Sequence, residues 1–207
     1  MKKLTHQELI NKQKNQSSTK LPFTVVLNNI RSLYNVGSIF RTADGVGLEK
    51  IWLCGITGIP GKSKTRIEKT ALGAEKTVPW EYRESALSII RELKEKGYQI
   101  VLLEQTEKSI SYEEFQPEAP VCLVVGNEII GVGDEILPLC DTAIEIEMAG
   151  LKNSLNVTVA FGIIAYHFRN YLRLSLRANG VSEAISEIAS ALPGLPPRND
   201  GNSQNPS

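Results

Sequence analysis

The sequence has few of the residues that bind most protein metal ions. Its 207 residues include three cysteines and two histidines, with no C-x-x-C pair. Zinc sites need clustered Cys and His ligands, so we expect no metal site. The cysteines lie far apart in apolar segments, which is typical of reduced thiols packed as small hydrophobic side chains. They are Cys54, Cys122 and Cys140.

Long apolar runs and an excess of either charge are also missing. No stretch approaches the roughly 18 consecutive apolar residues of a membrane span. The lysines near residue 1 are not followed by the apolar segment of a secretory signal. We therefore expect a cytoplasmic protein with no membrane partner. Acidic and basic residues number 23 each, so the net charge does not indicate a nucleic-acid partner.

Positive charge is instead concentrated locally. Residues 1–20 contain five lysines and one acid, Glu8, and residues 62–69 read KSKTRIEK. Three arginines recur every fourth residue and share one helix face, namely Arg169, Arg173 and Arg177. A solvated surface explains any one cluster. Together they indicate a surface for an anionic partner only if the fold brings them to one side.

Short apolar runs alternate with helical stretches along the chain. Strands are predicted at Phe23–Leu27, Ile51–Cys54, Val78–Tyr82, Gln99–Leu103, Val121–Val125 and Ala143–Ile146. Helices are predicted at about Val36–Val46, Ser85–Lys96, Gly133–Leu139, Leu155–Arg177 and Ser182–Ala191. This alternation indicates an α/β fold, with a mostly parallel sheet and helices on both faces. In such sheets, ligands bind beyond the carboxyl ends of the strands.

The domain boundaries follow composition. We expect the main domain at residues 21–178 and a helical extension at 179–192, with flexible tails at 1–20 and 193–207. The helix predicted from Leu155 is apolar on nearly all sides in its first three turns, so it must be buried on more than one side. Either a second copy of the chain or another layer of the same chain covers it. The short remaining chain favours a homodimer.

A first polar segment, Asn28–Asp44, leaves a strand and enters a helix near Asn35, a residue type that caps helices well. Gly37 would allow a bulky group to approach the first turn. Free N–H groups at a helix start bind anions, and two nearby guanidiniums, Arg31 and Arg41, suit a phosphate of a polymer backbone. An ordinary helix with two surface arginines explains the spacing equally well.

A second segment, Val124–Glu135, runs from a strand into a glycine-rich turn. Glycine at the carboxyl end of a strand lets the backbone touch a ligand, and Glu128 in this turn is a ligand, a base or merely an exposed carboxylate. The segment lacks the patterns of a P-loop and of a dinucleotide-binding turn. A dinucleotide-dependent oxidoreductase is therefore disfavoured.

A third segment, Ile144–Gly162, ends a strand at Met148 and opens the apolar helix after a short loop. Ser154 is predicted to cap this helix. Asn156 in the first turn needs polar partners if it is buried, and a bound substrate would supply them. A capping serine and a structural asparagine are the equally simple alternative.

Taken in this order, the three segments resemble the three motifs of the SpoU–TrmH branch of the SPOUT RNA methyltransferases. The first motif, N-x-x-R-x-x-x-N-x-G-x-x-x-R, is matched by Asn28, Arg31, Asn35, Gly37 and Arg41. The second, a Gly-x-Glu turn followed by Gly, is matched by Gly126, Glu128 and Gly131. The third is matched by Ile146, Met148, Ser154, Leu155, Asn156 and Val157. The resemblance covers about Phe23 to Arg177, and Glu147 replaces the usual proline.

The resemblance implies S-adenosylmethionine-dependent methylation of a ribose 2′-hydroxyl in RNA. It also implies a deep trefoil knot near the C-terminus, as in the SPOUT fold, and an obligate homodimer. The implied catalytic positions are Asn35, Arg41, Glu128, Ser154 and Asn156. The implied cofactor positions are Leu103, Gly126, Asn127, Ile146, Met148 and Leu155.

For the RNA substrate, we expect contacts from the loop arginine and the basic segment, at Arg31, Lys62, Lys64 and Arg66. We favour tRNA over rRNA because the compact chain with short tails resembles that part of the family. The alternative is a SPOUT-fold RNA-binding or assembly protein that has no turnover. The intact set of implied catalytic residues counts against this alternative.

Overall fold

The computed structural model describes residues 1–14, 20–61, 64–127 and 129–191. Within them, one sheet contains seven strands in the order β3-β2-β1-β6-β4-β7-β5, and every neighbouring pair is parallel. The strands are β1 Leu21–Asn28, β2 Leu48–Cys54, β3 Trp80–Arg83, β4 Gln99–Leu103, β5 Ile110–Ser111, β6 Val121–Val125 and β7 Thr142–Glu145. The parallel sheet predicted from the sequence is confirmed.

The described helices are α1 His6–Lys14, α2 Leu33–Val46, α3 Lys64–Ala71, α4 Ala74–Thr77, α5 Ala86–Glu95 and α6 Val157–Ala191. The chain divides into two units after Arg173, and the described part of the second unit is the remainder of α6. No helix within the described residues is both long and apolar enough to cross a membrane.

Side chains alternate between the two faces of the sheet, as strand geometry requires. On β6, Val121, Leu123 and Val125 join a core that includes residues of α2, α3 and α6, while Cys122 and Val124 face a second core with α5. Helices therefore cover both faces, as predicted. The α6 side of the sheet is dense in aromatic rings, with Phe23 and Phe168 centroids 5.3 Å apart.

Three sequence-based expectations about helices are wrong. The helix predicted at Gly133–Leu139 is only a 3₁₀ turn at Leu137–Leu139, because Pro138 lacks an N–H and the segment is too short to propagate an α-helix. The helix predicted from Leu155 begins at Val157, and it runs on through the separate helix expected at Ser182–Ala191.

Helices also occur where polar sequence predicts none. Helix α1 lies inside the segment expected to be flexible, and α3 and α4 lie in the basic stretch between β2 and β3. The tail expected at residues 193–207 lies outside the described residues.

The three cysteines are free thiols, as expected. Burial raises the pKa of Cys54 to about 12 and the pKa of Cys140 to about 11, and it also raises the pKa of fully buried Cys122. Because only the thiolate is nucleophilic, these cysteines are unreactive near neutral pH.

Candidate active site

A cavity of about 260 Å³ lies at the carboxyl ends of β4, β6 and β7. Six of the positions predicted from the sequence line it: Leu103, Gly126, Asn127, Ile146, Ser154 and Leu155. They come from four separate segments of the chain, which meet because parallel strands present their carboxyl ends at one sheet edge. The second and third motifs thus share one cavity.

The turn after β6 is held by its own backbone. Asn127 and Gly131 exchange two N–H···O bonds of 3.0 Å each. A Cβ built on Gly126 would lie 2.6 Å from the carbonyl carbon of Gly131, and Gly131 itself has φ +65°. Glycine at 126 is therefore required by the turn as well as by any ligand. Glu128, in the middle of this turn, lies outside the described residues.

Asn127 joins the first two motifs. Its buried side chain donates a 2.9 Å hydrogen bond to the carbonyl of Asn29. Its amide oxygen accepts from the N–H groups of Ile129 and Ile130 at 2.9 and 3.2 Å. A single side chain thus ties the turn after β6 to the loop after β1, and fixes both beside the cavity.

The helix that closes the cavity is capped by Asn156, and the expectation that Ser154 caps it is wrong. Because α6 begins at Val157, Asn156 occupies the capping position, and its Oδ1 accepts from the N–H and hydroxyl of Thr158 at 2.9 and 2.6 Å. Ser154 is exposed and lines the cavity instead.

The start of α2 also differs from the expectation. Ser32 is the cap, and its hydroxyl accepts a 3.3 Å bond from the N–H of Asn35, which lies in the first turn. Gly37 does not admit a ligand, because a Cβ there would collide with the Ile67 carbonyl and the Thr70 hydroxyl of α3. The missing side chain lets two helices pack closely.

Motifs one and three meet at two asparagines. The side-chain amide of Asn156 donates to Oδ1 of Asn35 at 3.5 Å. Both residues were predicted as catalytic from distant parts of the sequence. The contact places the start of α2 beside the start of α6, next to the cavity that Val157 and Leu155 line.

Arg41 and Met148 lie outside this cavity. Arg41 is exposed on α2, and no hydrogen bond or ion pair involves it among the residues that the structure describes. Met148 lines an adjoining cavity of about 500 Å³, which shares Gln105, Glu145 and Asn153 with the first one. The expected role of Met148 in binding the cofactor stays a prediction.

The predicted RNA-binding residues are partly described. Arg31 and Arg66 are exposed, Lys64 is the first residue of α3, and Lys62 lies outside the described residues. Because α3 packs against Gly37 of α2, the basic segment and the first motif lie on neighbouring helices. Neither Arg31 nor Arg66 lines the cavity at the strand ends.

Sequence reasoning missed several polar residues that line the cavity. Glu104 and Gln105 directly follow β4, Glu145 ends β7, and Asn153 lies within the third segment, directly before Ser154. The amide of Gln105 donates a 2.9 Å bond to the carbonyl of Asn153, which ties two walls together. Their positions in the sequence could have identified Glu104 and Gln105, because polar residues directly after a buried parallel strand lie at the ligand-binding edge of the sheet.

A parallel sheet with a partly polar cavity at the carboxyl ends of its strands defines a ligand-binding α/β domain. The model of the SpoU rRNA Methylase family matches residues 22–166. The chain belongs to this family, which confirms the resemblance found in its three motifs.

Relatives and solved structures agree with this assignment. The chain is 35% identical over 172 residues to the tRNA (guanosine(18)-2′-O)-methyltransferase of Aquifex aeolicus, covering 80% of each chain. It is 30% identical to the enzyme of that name from Escherichia coli K12, covering 69% of this chain and 61% of that protein.

Among solved structures, the A. aeolicus TrmH/SpoU tRNA modifying enzyme matches with a TM-score of 0.68 and 32% identity, covering 76% of this chain and 79% of that one. The SpoU methyltransferase AviRb from Streptomyces viridochromogenes, in complex with AdoMet, matches with a TM-score of 0.65 and 26% identity, covering 76% and 63%.

Proposed function

We propose that this protein methylates a ribose 2′-hydroxyl in RNA, with S-adenosylmethionine as methyl donor and tRNA as the favoured substrate. The observation that carries the proposal is the convergence of the second and third motifs on one cavity, with Asn156 bonded to Asn35 of the first. The similarity to enzymes named tRNA 2′-O-methyltransferases supports tRNA.

The cavity fits this cofactor in size and in chemistry. Small-molecule sites have volumes on the order of 300–1,000 Å³, and the two adjoining cavities measure about 260 and about 500 Å³. Apolar walls from Leu103, Ile146 and Leu155 suit an adenine ring, and Gly126 and Asn127 line the same cavity with backbone groups that can form hydrogen bonds. The bound cofactor supplies a methyl group activated by a sulfonium.

The protein's own task is to align the 2′-oxygen with that methyl and to stabilise the charge that develops on it. We assign Arg41 to hold a phosphate or stabilise the oxyanion, because a guanidinium does not release its proton in proteins. Such a preorganised donor contributes about 2–4 kcal/mol to the transition state. Ser154 and Asn156 shape the pocket around the cofactor and the ribose, and Glu128 orients Asn35 or Arg41.

We also propose that the site is completed by a second copy of the chain. One face of α6 is buried in the core, but Val159 and Tyr166 on another face are 50% and 46% exposed. That face continues onto α2, because a side chain built at Gly45 would approach the Tyr166 hydroxyl to 3.1 Å. Pairing of these surfaces in a homodimer buries the apolar side chains and brings the exposed Arg41 to the partner's cavity.

The trefoil knot is likewise part of the proposal. Strand β6 enters between β1 and β4, and β7 then enters between β4 and β5, both of which precede it in the sequence. Helix α6 finally returns to pack on β1 through Phe168. The insertion of these later strands between strands that come earlier in the sequence supports a knotted C-terminal region.

The test is methyl transfer from labelled S-adenosylmethionine to unmodified transcripts of tRNA and of rRNA, followed by mapping of alkali-resistant ribose methylation. We expect label at a 2′-oxygen in tRNA. Cofactor binding without transfer to any RNA would favour the alternative, an RNA-binding protein without turnover. Failure to bind the cofactor at all would overturn the proposal.

A further inference from the structure

Two carboxylates line the cavity side by side. Glu104 directly follows β4, and its N–H donates to the carbonyl of Ile144, the neighbour of Glu145 at the end of β7. Both residues therefore line the cavity at the ends of adjacent strands. Among the described residues that line it, none is lysine, arginine or histidine. Within that lining, the cavity carries two negative charges and no compensating cation.

Both carboxylates are held in place by the protein. Oε1 of Glu104 accepts a 3.1 Å bond from the N–H of Gln105, and its Oε2 lies against Gly131. Oε2 of Glu145 accepts a 3.0 Å bond from the hydroxyl of Ser109. Neither carboxylate forms a salt bridge within the described part of the chain. They are fixed charges with remaining acceptor capacity, rather than mobile surface groups.

We propose that Glu104 and Glu145 make this cavity selective for the charge of the cofactor. This inference rests on the proposed function. In methyl transfer, the carbon–sulfur bond breaks as the carbon–oxygen bond forms, the sulfur keeps the electron pair, and the hydroxyl proton leaves to solvent. The cofactor thus changes from a sulfonium cation to a neutral thioether. Two fixed carboxylates bind the cation more tightly than the thioether, and so favour release of the spent cofactor.

The adjoining cavity does not carry the same selectivity. It is lined by Glu147 and Lys152 in addition to Glu145. Lys152 offsets one of these two negative charges, so the described lining of the adjoining cavity carries one net negative charge, against two in the first cavity. Removal of either carboxylate should lower the preference for the cation by about fivefold to tenfold, the size of one Coulomb interaction at several ångströms in a partly solvated site.

The experiment is calorimetric titration of the full chain with S-adenosylmethionine and, separately, with S-adenosylhomocysteine. Wild type should bind the methylated cofactor more tightly. Glu104→Gln and Glu145→Gln should each lower the ratio of the two affinities by about fivefold or more. The matched control is Glu107→Gln, which removes the same charge from an exposed residue that does not line this cavity. It should leave the ratio unchanged.

A second measurement does not depend on the variants folding. In wild type, the ratio of affinities should fall as salt rises, because the preference is electrostatic and the cavity is partly open to solvent. An equal affinity for both cofactors in wild type, or a ratio unmoved by both Gln variants, would overturn the inference and leave the proposed function intact. Binding of neither compound would instead overturn the proposed function.

Discussion

The side-chain amide of Asn156 donates a 3.5 Å hydrogen bond to Oδ1 of Asn35, a residue 121 positions earlier in the chain. The same Asn156 uses its oxygen to cap α6 through Thr158. One side chain thus serves the stability of a helix and the arrangement of the site, through two different atoms. Substitutions can separate these two roles.

Asn156→Asp should keep the cap and lose the site contact. A carboxylate oxygen can still accept from the N–H of Thr158 and is favoured at a helix N-terminus, but it cannot donate to Asn35. We expect near wild-type stability in denaturant unfolding and a loss of methyl transfer. Asn156→Ala should lose activity and also about 1 kcal/mol of unfolding free energy. Full activity in the Asp variant would show that the asparagine is only a cap.

Arg41→Ala should abolish methylation while cofactor binding survives, because Arg41 is assigned to the RNA phosphate or the oxyanion and not to the cofactor. The expected rate is below a tenth of wild type, with an unchanged calorimetric affinity for S-adenosylmethionine. Arg41→Lys tests the geometry, since an ammonium lacks the paired donors of a guanidinium and should restore activity only in part. Turnover of the Ala variant above a tenth of wild type would refute the assigned role.

Tyr166→Asp should convert the protein to a monomer, because it places a charge in the proposed α6 interface. The measurement is molar mass by light scattering during size exclusion. Leu72→Asp is the control, because Leu72 is 65% exposed and lies at φ +52°, a conformation that Asp tolerates. If both variants keep the mass of wild type, the proposed interface is wrong.

Raising salt from about 50 to about 200 mM should weaken RNA binding at least tenfold, because phosphate contacts release counterions. The affinity is measured by fluorescence anisotropy with a labelled tRNA. Arg66→Ala should reduce the slope of log affinity against log salt by about one, the change expected for the loss of a single phosphate contact. A flat salt response would show that the basic segment does not hold the RNA backbone.

The sequence predicts the sheet better than the helices. The bounds of β4 and β6 agree with the prediction because each contains a continuous apolar run, Ile100–Leu103 or Val121–Val125, as expected for a strand buried on both faces. Helices α3 and α4 could not be predicted from a polar, charged stretch, because α3 exists through its packing on Gly37 of α2. Tertiary contacts decide such elements.

The capping residues show the limit of local signals at the site. Ser32 and Asn35, or Ser154 and Asn156, are equally good caps by residue type. In the structure Ser32 and Asn156 cap the starts of the two helices, whereas Asn35 and Ser154 do not. Glu104 and Glu145 escaped prediction for a related reason, because only the sheet order places the ends of β4 and β7 side by side.

Gly37 sets the distance between helices α2 and α3. Even a single methyl group there would wedge α2 and α3 apart, since the Ile67 carbonyl and the Thr70 hydroxyl already fill that space. The spacing between the helix that bears Arg41 and the helix that bears Arg66 is therefore set by the absence of one carbon atom. Under the proposed function, a substitution at Gly37 would therefore move the RNA-binding residue Arg66 relative to the catalytic residue Arg41.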